Sequence, residues 1–303
     1  MSDPYLLHIF SATRHVSPFD INMAYEARYD AVIPYADVSP EDIRDLTQDC
    51  IFSRGPKGVK RTGIFIGGRD FHTAIDMLQA ARDAMVPPFE VSVLVDPSGA
   101  ITTAAAIVAS VERCLALNDA GDLADKQVFI VGGTGPVGIC AGVLAQQAGA
   151  RTYLVSHQGY GVARRIAEHC NERYGVNLAP ADSSTPAGLA EIIDGADVLI
   201  NTAKAGVQVM SRADLGRSSR LRVAADANAV PPLGFEGVGT NDFNVPMKLE
   251  GLSAVGIGAL GIGDVKYKVH TRLLQMMYES GKPLYLAHPE ALQAAREIVA
   301  GIG

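Results

Sequence analysis

No Cys-x-x-Cys pair occurs in the 303-residue sequence, and its four cysteines (Cys50, Cys114, Cys140 and Cys170) stand far apart. That spacing excludes a dithiol motif and a cysteine zinc knuckle, and leads us to expect reduced, mostly buried thiols in a cytoplasmic protein. The seven histidines form no His-Glu-x-x-His pattern or other ligand spacing, so no metal is expected. A basic excess is missing too: the formal net charge is −7, which removes the general footprint of a nucleic-acid partner. The opening Met-Ser-Asp-Pro has no basic region followed by an apolar core, so no secretory signal is expected. No apolar run reads as long enough to cross a bilayer, since the hydrophobic stretch 251–263 is interrupted by five glycines; no membrane partner is expected. Internal repeats and low-complexity tails are also lacking. The length suggests about two domains with ample core.

What is present is a glycine turn in the right setting. Gln127 to Val131 is a short, β-branched apolar run of the length of a buried parallel strand. Gly133, Gly135 and Gly138 then fit Gly-x-Gly-x-x-Gly, and from Pro136 to Ala148 the apolar spacing is helical. Pro136 falls near the first helical position, where a missing N–H costs little. Strand, glycine turn and helix together make a site for a pyrophosphate: free amides and the positive end of the helix dipole face the anion, and glycine allows close approach. Gly133, Thr134, Gly135, Pro136, Val137 and Gly138 are therefore candidate cofactor-binding residues of a Rossmann-type domain.

Elsewhere strands and helices alternate, which argues for α/β layers with mainly parallel strands. Strands are expected near 5–10, 31–34 and 91–95, and a strand and turn over 61–70, with helices from Ser17 to about Arg28, after Ser39-Pro40-Glu41-Asp42, and from His72 to Met85. Residues 101–118 read as a helix linking two domains. Further strands are expected at Arg151–Ser156, Asp197–Asn201 and Arg222–Asp226, with helices at 162–174, 265–280 and 289–300. Thr202, Ala203, Asp226 and Asn228 should then lie at the carboxyl edge of the sheet, where open α/β folds bind ligands. The glycine-rich 251–263 suits backbone packed closely against a ligand. The division expected is 1–103 as an N-terminal α/β domain, and 104–303 as linking helix, nucleotide-binding domain and C-terminal helices.

The end of the second strand of the nucleotide domain selects between nucleotides. A carboxylate there favours NAD by binding the ribose hydroxyls. Here it reads Ser156-His157-Gln158, so a 2′-phosphate would meet no like charge, and Ser156 and Gln158 could donate to it. Arg164 or Arg165 lies one to two turns into the following helix. We therefore expect both NAD and NADP to serve.

Some chemistry-bearing residues have ordinary readings of their own. Asp20 can be a helix-start acid, Phe19 a core aromatic, and Thr102 and Thr103 helix caps. Arg54, Lys57, Lys60, Arg61 and Arg69 make a basic stretch that reads either as a solvated loop or as a rim for an anionic ligand tail.

Five segments followed by a lysine carry a resemblance: Ser17-Pro18-Phe19-Asp20, Thr102 to Ala106, Gly133 to Gly138, Asn228 to Gly234, Gly256 to Gly263, and then Lys266. In this order they resemble the bacterial NAD(P)-dependent methylene-tetrahydromethanopterin dehydrogenases, over about residues 5–300. The similarity is to the branch that uses NAD and NADP; the NADP-only branch carries Arg-Lys where this chain has His157-Gln158. The resemblance implies two domains, an N-terminal α/β/α domain on the pterin side and a Rossmann-type nucleotide domain, with the active site in the cleft between them. It implies hydride transfer from methylene-tetrahydromethanopterin to NAD(P)+ in one-carbon, formaldehyde-oxidising metabolism, by a cytoplasmic homo-oligomer.

The implied chemistry fits what the chain lacks. Removing hydride leaves a cation on the pterin and moves no proton, so neither metal nor nucleophile is needed. A carboxylate beside the forming cation would stabilise the transition state more than the neutral substrate. The resemblance gives that role to Asp20 and places Lys266 in the active site, orienting the pterin. It gives Phe19 a stacking role and Thr102 and Thr103 contacts to the pterin ring. Methylene-tetrahydrofolate dehydrogenation is the nearest alternative activity. A two-domain dehydrogenase for a small keto or hydroxy acid, with Lys266 as acid, and a non-enzymatic NAD(P)H-binding regulator are the others.

Overall fold

The structure, a computed structural model, describes residues 3–249 and 251–302. The chain begins β1 (Leu6–Ser11), α1 (Pro18–Glu26), β2 (Ala31–Tyr35), α2 (Ile43–Phe52), α3 (Pro56–Val59), β3 (Thr62–Gly67), α4 (Phe71–Asp83) and β4 (Ser92–Val95). After α5 (Ala100–Leu117) come β5 (Gln127–Val131), α6 (Pro136–Gln147), β6 (Arg151–Ser156), α7 (Tyr160–Tyr174), β7 (Ala179–Asp182), α8 (Pro186–Gly195) and β8 (Val198–Asn201). It ends with α9 (Arg212–Leu215), β9 (Val223–Asp226), β10 (Phe243–Pro246), β11 (Val255–Ile257), α10 (Ala259–Glu279), β12 (Tyr285–Leu286) and α11 (His288–Ala300). Short 3-10 turns at Pro40–Asp42 and Pro97–Gly99 lead into α2 and α5.

Two compact units result. One runs to Thr102 and takes in Tyr267–Ala294; the other holds Thr103–Lys266 and the chain from Ala295. The expected division placed all of 104–303 together, whereas 267–294 belongs with the first unit. The reason is a sheet edge: β12 adds to β4, with Val93 N–H donating to the Leu284 carbonyl at 2.8 Å. Helix α10 is tied in by Tyr29 Oη donating to the Leu274 carbonyl (3.2 Å) and Ser92 Oγ to that of Met277 (2.9 Å). A two-residue strand after Gly281-Lys282-Pro283 is too short to carry an alternation that a sequence reading could use.

The sheet of the first unit has the order β12-β4-β3-β1-β2, and its pairings are parallel. Thr-Gly-Ile-Phe-Ile-Gly of β3 is buried at every position, as a central parallel strand with both faces covered must be. Pro34, which has no N–H for a ladder, falls on the edge strand β2. Because β1 is flanked by β2 on one side and β3 on the other, the connections change direction between β1 and β3, and the carboxyl ends of those two strands flank a crevice.

In the second unit the order is β10-β11-β9-β8-β5-β6-β7, parallel except for the antiparallel β10. The corresponding change of direction lies between β5 and β8. Phe129 of β5 stacks on Tyr153 of β6 with ring centroids 4.2 Å apart, on a core that includes Ile192, Leu199, Leu215 and Phe235.

The run Pro97–Leu117 is long and apolar enough to cross a membrane, contrary to the sequence reading, but 72% of its window is buried inside the protein, as in a core helix. The glycine-rich 251–263 contains strand β11 and runs into the first turn of α10. A Cβ on Gly261 would sit 2.7 Å from the Asp242 carbonyl oxygen, and one on Gly258 would strike that of Gly239, so these glycines serve the protein's own backbone packing.

Candidate functional site

In the second unit the glycine turn joins β5 to α6 as expected. Gly133 N–H donates to the Val155 carbonyl (3.2 Å) and Gly135 N–H to that of Gly132 (3.1 Å), while Pro136 opens the helix. The glycines of the motif are not equivalent. A Cβ on Gly133 would lie 2.7 Å from the Ile130 carbonyl oxygen, and one on Gly138 2.6 Å from that of Gly132. On Gly135 the nearest atom would be 3.5 Å away, an ordinary contact. The protein's own packing therefore demands glycine at 133 and 138 but leaves 135 open to a ligand.

Thr202 and Ala203 close the other side of this turn. Thr202 Oγ1 donates to the Val131 and Gly132 carbonyls (3.1 and 3.2 Å), and Ala203 N–H to Asn201 Oδ1 (3.0 Å). Asp226 and Asn228, expected at the carboxyl edge of the sheet among the cofactor-binding residues, are both buried and hydrogen-bonded to neighbouring loops. Asp226 accepts from Asn201 Nδ2 (2.7 Å), Asn228 N–H (3.0 Å) and Phe235 N–H (2.9 Å). Asn228 Oδ1 accepts from Gly206 and Val230, and its Nδ2 donates to the Pro232 carbonyl. These hydrogen bonds fix the loops around the switch point. Ser156 is likewise buried, its Oγ accepting from Gln158 N–H (3.1 Å), which leaves His157 and Gln158 as the exposed part of that trio. Thr134, Pro136 and Val137 remain accessible around the turn.

In the first unit a group of side chains gathers at the carboxyl edge. Asp20, in the first turn of α1, is buried, and a Cβ placed on Gly67 at the end of β3 would lie 3.6 Å from its Oδ2 and 3.8 Å from Ser11 Oγ at the end of β1. A carboxylate thus occupies the point where that sheet changes direction. Phe19 beside it is 41% exposed, unlike a core aromatic, and meets the ring of His270 edge-on at 5.7 Å. Phe65 stacks on the same imidazole.

His270 and Asp96 were not found by sequence reasoning. Asp96, at the end of β4, accepts from Ile101 N–H (2.9 Å) and Thr102 N–H (3.1 Å), satisfying the first amides of α5. Its Oδ2 accepts from Thr102 Oγ1 (2.6 Å) and lies 3.0 Å from His270 Nδ1, at ion-pair distance though outside hydrogen-bond alignment. Burial would raise the Asp96 carboxyl, but the imidazole and the Thr102 hydroxyl and amide outweigh it and hold the group below the usual aspartate range. Thr102 is accordingly completely buried with its hydroxyl donated to Asp96, so it does not present a donor to a pterin; Thr103 is half-buried. Lys266, also half-buried, lies one turn before His270 on α10. Asp96-Pro-Ser-Gly by itself signals only a turn, and His270 has no sequence neighbour that marks it.

Along its length the chain is 41% identical, over 97% of itself and 98% of the other, to an NAD(P)-dependent methylenetetrahydromethanopterin dehydrogenase of Methylorubrum extorquens. The chain belongs to that dehydrogenase family. A model of the N-terminal part of methylene-tetrahydromethanopterin dehydrogenases matches residues 18–98 of this family member, a span that contains Phe19, Asp20 and Asp96. A second Methylorubrum extorquens protein, the bifunctional protein MdtA, is 31% identical over the same 97%. Among solved structures, an NAD-dependent malic enzyme of Thermotoga maritima aligns with a TM-score of 0.56 at 13% identity, over 97% of this chain and 84% of that one. A shikimate 5-dehydrogenase of Listeria monocytogenes aligns at 0.50 and 13%, over 99% and 97%. At such identities these two speak for the fold alone.

The basic stretch does not form one rim in this dehydrogenase. Arg54 Nη1 donates to the Pro4 carbonyl (3.1 Å) and Thr62 Oγ1 (3.0 Å), and Arg61 donates to the Asp3 carbonyl (2.7 Å) while covering the Tyr5 ring. Both therefore clamp the start of the chain at the amino edge of the sheet. Arg69 follows the opposite end of β3, about 20 Å away along a six-residue strand.

Proposed function

We propose that the protein oxidises methylene-tetrahydromethanopterin to methenyl-tetrahydromethanopterin, with either NAD or NADP as hydride acceptor, in one-carbon metabolism. The single observation that carries this reading is the end-to-end 41% identity to a dehydrogenase of that name. The nicotinamide supplies the acceptor carbon for the hydride; the chain's residues do the rest. Gly133 to Gly138 hold the pyrophosphate on the amides opening α6, with Gly135 as the point of closest approach. Asp20 sets a buried negative charge where the pterin becomes a cation, which favours the transition state over the neutral substrate. Phe19 offers an exposed ring face for stacking, and Lys266 orients the pterin. Thr102 enters as a positioning residue that anchors Asp96, in place of a direct contact. Cytoplasmic residence and a homo-oligomeric state belong to the same proposal, the latter checked by light scattering.

The test is reduction of NAD and NADP by purified protein, followed by absorbance, with methylene-tetrahydromethanopterin and methylene-tetrahydrofolate in parallel. Fast reduction with the methanopterin and both nucleotides is expected. Reduction with the folate alone would move the protein to a different substrate, and no reduction with any pair would overturn the reading.

A further inference from the structure

A cavity of about 420 Å³ opens beside the glycine turn, and its lining includes His157, Ser183, Leu189, Lys204, Val207 and Met210. It lies between the loop after β6, which holds His157, and the loop after β8, which holds Lys204. In sheets of this order the adenosine end of a dinucleotide extends toward the end of the strand beside the glycine-turn strand, which here is β6. Leu189, Val207 and Met210 give the cavity an apolar wall suited to a purine, and His157 stands where the adenosine ribose would present its 2′ position.

The charges around this cavity are uneven. Among the described residues no carboxylate is in its lining, and Lys204 is the lining residue with a full cationic side chain. The nearest acid in sequence, Asp182, accepts from Ser184 N–H at 2.7 Å, and the Ser184 hydroxyl, followed by the Ser184 and Tyr160 amides, holds its carboxyl below the usual range. Of the two arginines the sequence offers, Arg164 is engaged with Glu168 at 2.7 Å on the exposed face of α7, and neither Arg164 nor Arg165 is among the described residues lining the cavity. Of the two candidate donors, Ser156 is buried and accepts from Gln158 N–H, while Gln158 is exposed. The cation in the cavity itself is an exposed lysine arriving from a different loop than the one that usually carries it.

We propose that Lys204 is the specificity-determining residue that lets this chain accept NADP: its ammonium pairs with the 2′-phosphate in the cavity it shares with His157. Lysine as a mobile point charge leaves the site usable by NAD, whose free hydroxyl imposes no unpaired charge on it. The proposal rests on the nucleotide-site reading above.

Titration with NADPH and NADH, read by nicotinamide fluorescence and needing no pterin, tests it. Lys204→Gln should lower the ratio of NADPH to NADH affinity about tenfold, the size expected for losing one charge-assisted contact. Lys204→Arg should keep most of that ratio, and 2′,5′-ADP should compete less well with NADPH in Lys204→Gln than in the parent. An unchanged ratio, or equal weakening of both nucleotides, would overturn the role of Lys204. So would an Arg164→Gln variant that lowers the ratio when Lys204→Gln does not. A parent protein that bound neither nucleotide would instead remove the nucleotide-site reading, and this proposal with it.

Discussion

Asp96 Oδ2 stands 3.0 Å from His270 Nδ1 with both side chains completely buried, so the end of β4 and the middle of α10 share a polar contact inside the first unit. The same carboxylate holds the first amides of α5 and the Thr102 hydroxyl. The His270 ring in turn carries Phe19 on its edge and Phe65 on its face. One buried acid therefore fixes two helices and supports the aromatic beside Asp20.

Replacing Asp96 by Asn keeps the shape and removes the charge. We expect a loss of about 1–3 kcal/mol, the scale for weakening the acceptor of several buried hydrogen bonds, measured by urea denaturation at neutral pH. The pH dependence has a definite sign. The folded carboxyl is held below its ordinary value, so in the acid range the unfolded chain binds more protons and stability rises with pH. The contribution is fully present above about pH 3.9, the unfolded value, and is lost as pH falls through the depressed folded one. Asp96→Asn should lack that component, and an unchanged acid slope would count against the assignment.

Much of this fold was legible in the sequence because its central strands are short apolar runs, two of them, β3 and β5, closed by glycine. Arg151–Ser156 was placed to the residue, and the helices opened by Pro18 and Pro136 begin where proline at the first position said they would. The region 175–196 was not read, since β7 (Ala-Pro-Ala-Asp) is half-buried throughout and carries no alternation. The site was only half legible. Local chemistry marked the glycine turn and Asp20, but the role of Asp96 depends on a partner 174 positions later in the chain. Asp226 and Asn228 were placed at the sheet edge, but sequence cannot show that neighbouring amides claim their oxygens.

The thiols make a separate test. Burial pushes the Cys50 and Cys114 thiols up to about 12 and that of Cys170 to about 11. At neutral pH almost none of each is thiolate, the reactive form. Native protein should therefore resist iodoacetamide at these positions while urea-unfolded protein labels quickly, as peptide mass mapping would show. Rapid native labelling of Cys50 or Cys114 would contradict the packing around them.

The glycine turn yields a contrast between two alanine substitutions. Gly138→Ala pushes a Cβ into the Gly132 carbonyl oxygen and Gly133 Cα, at 2.6 and 2.7 Å, and should destabilise by about 1–3 kcal/mol, as overpacking does. Gly135→Ala meets nothing closer than 3.5 Å, so its melting temperature should barely move. Its affinity for both nucleotides should nevertheless fall, because the added methyl stands where the pyrophosphate approaches. Calorimetry of the free protein and titration with NADH separate the two effects. If Gly135→Ala bound nucleotide normally, the open space at that position would have no bearing on the ligand.

Asp20 carries the last and most direct test of mechanism. Its carboxylate sits where the first sheet changes direction, close enough to the ends of β1 and β3 that a side chain on Gly67 would touch it. Asn has the same shape without the charge, so Asp20→Asn should leave the fold and the NADPH affinity intact. Turnover should drop by about 100- to 1,000-fold, the scale for removing one preorganised electrostatic partner of a transition state. Lys266→Met should act differently, raising KM for the pterin more than it lowers kcat, because a cation beside a forming cation assists orientation and not charge stabilisation. The ordering of the two kcat effects is the decisive comparison. If Lys266→Met cost more turnover than Asp20→Asn, negative charge at the edge of β1 and β3 would not be what the transition state draws on.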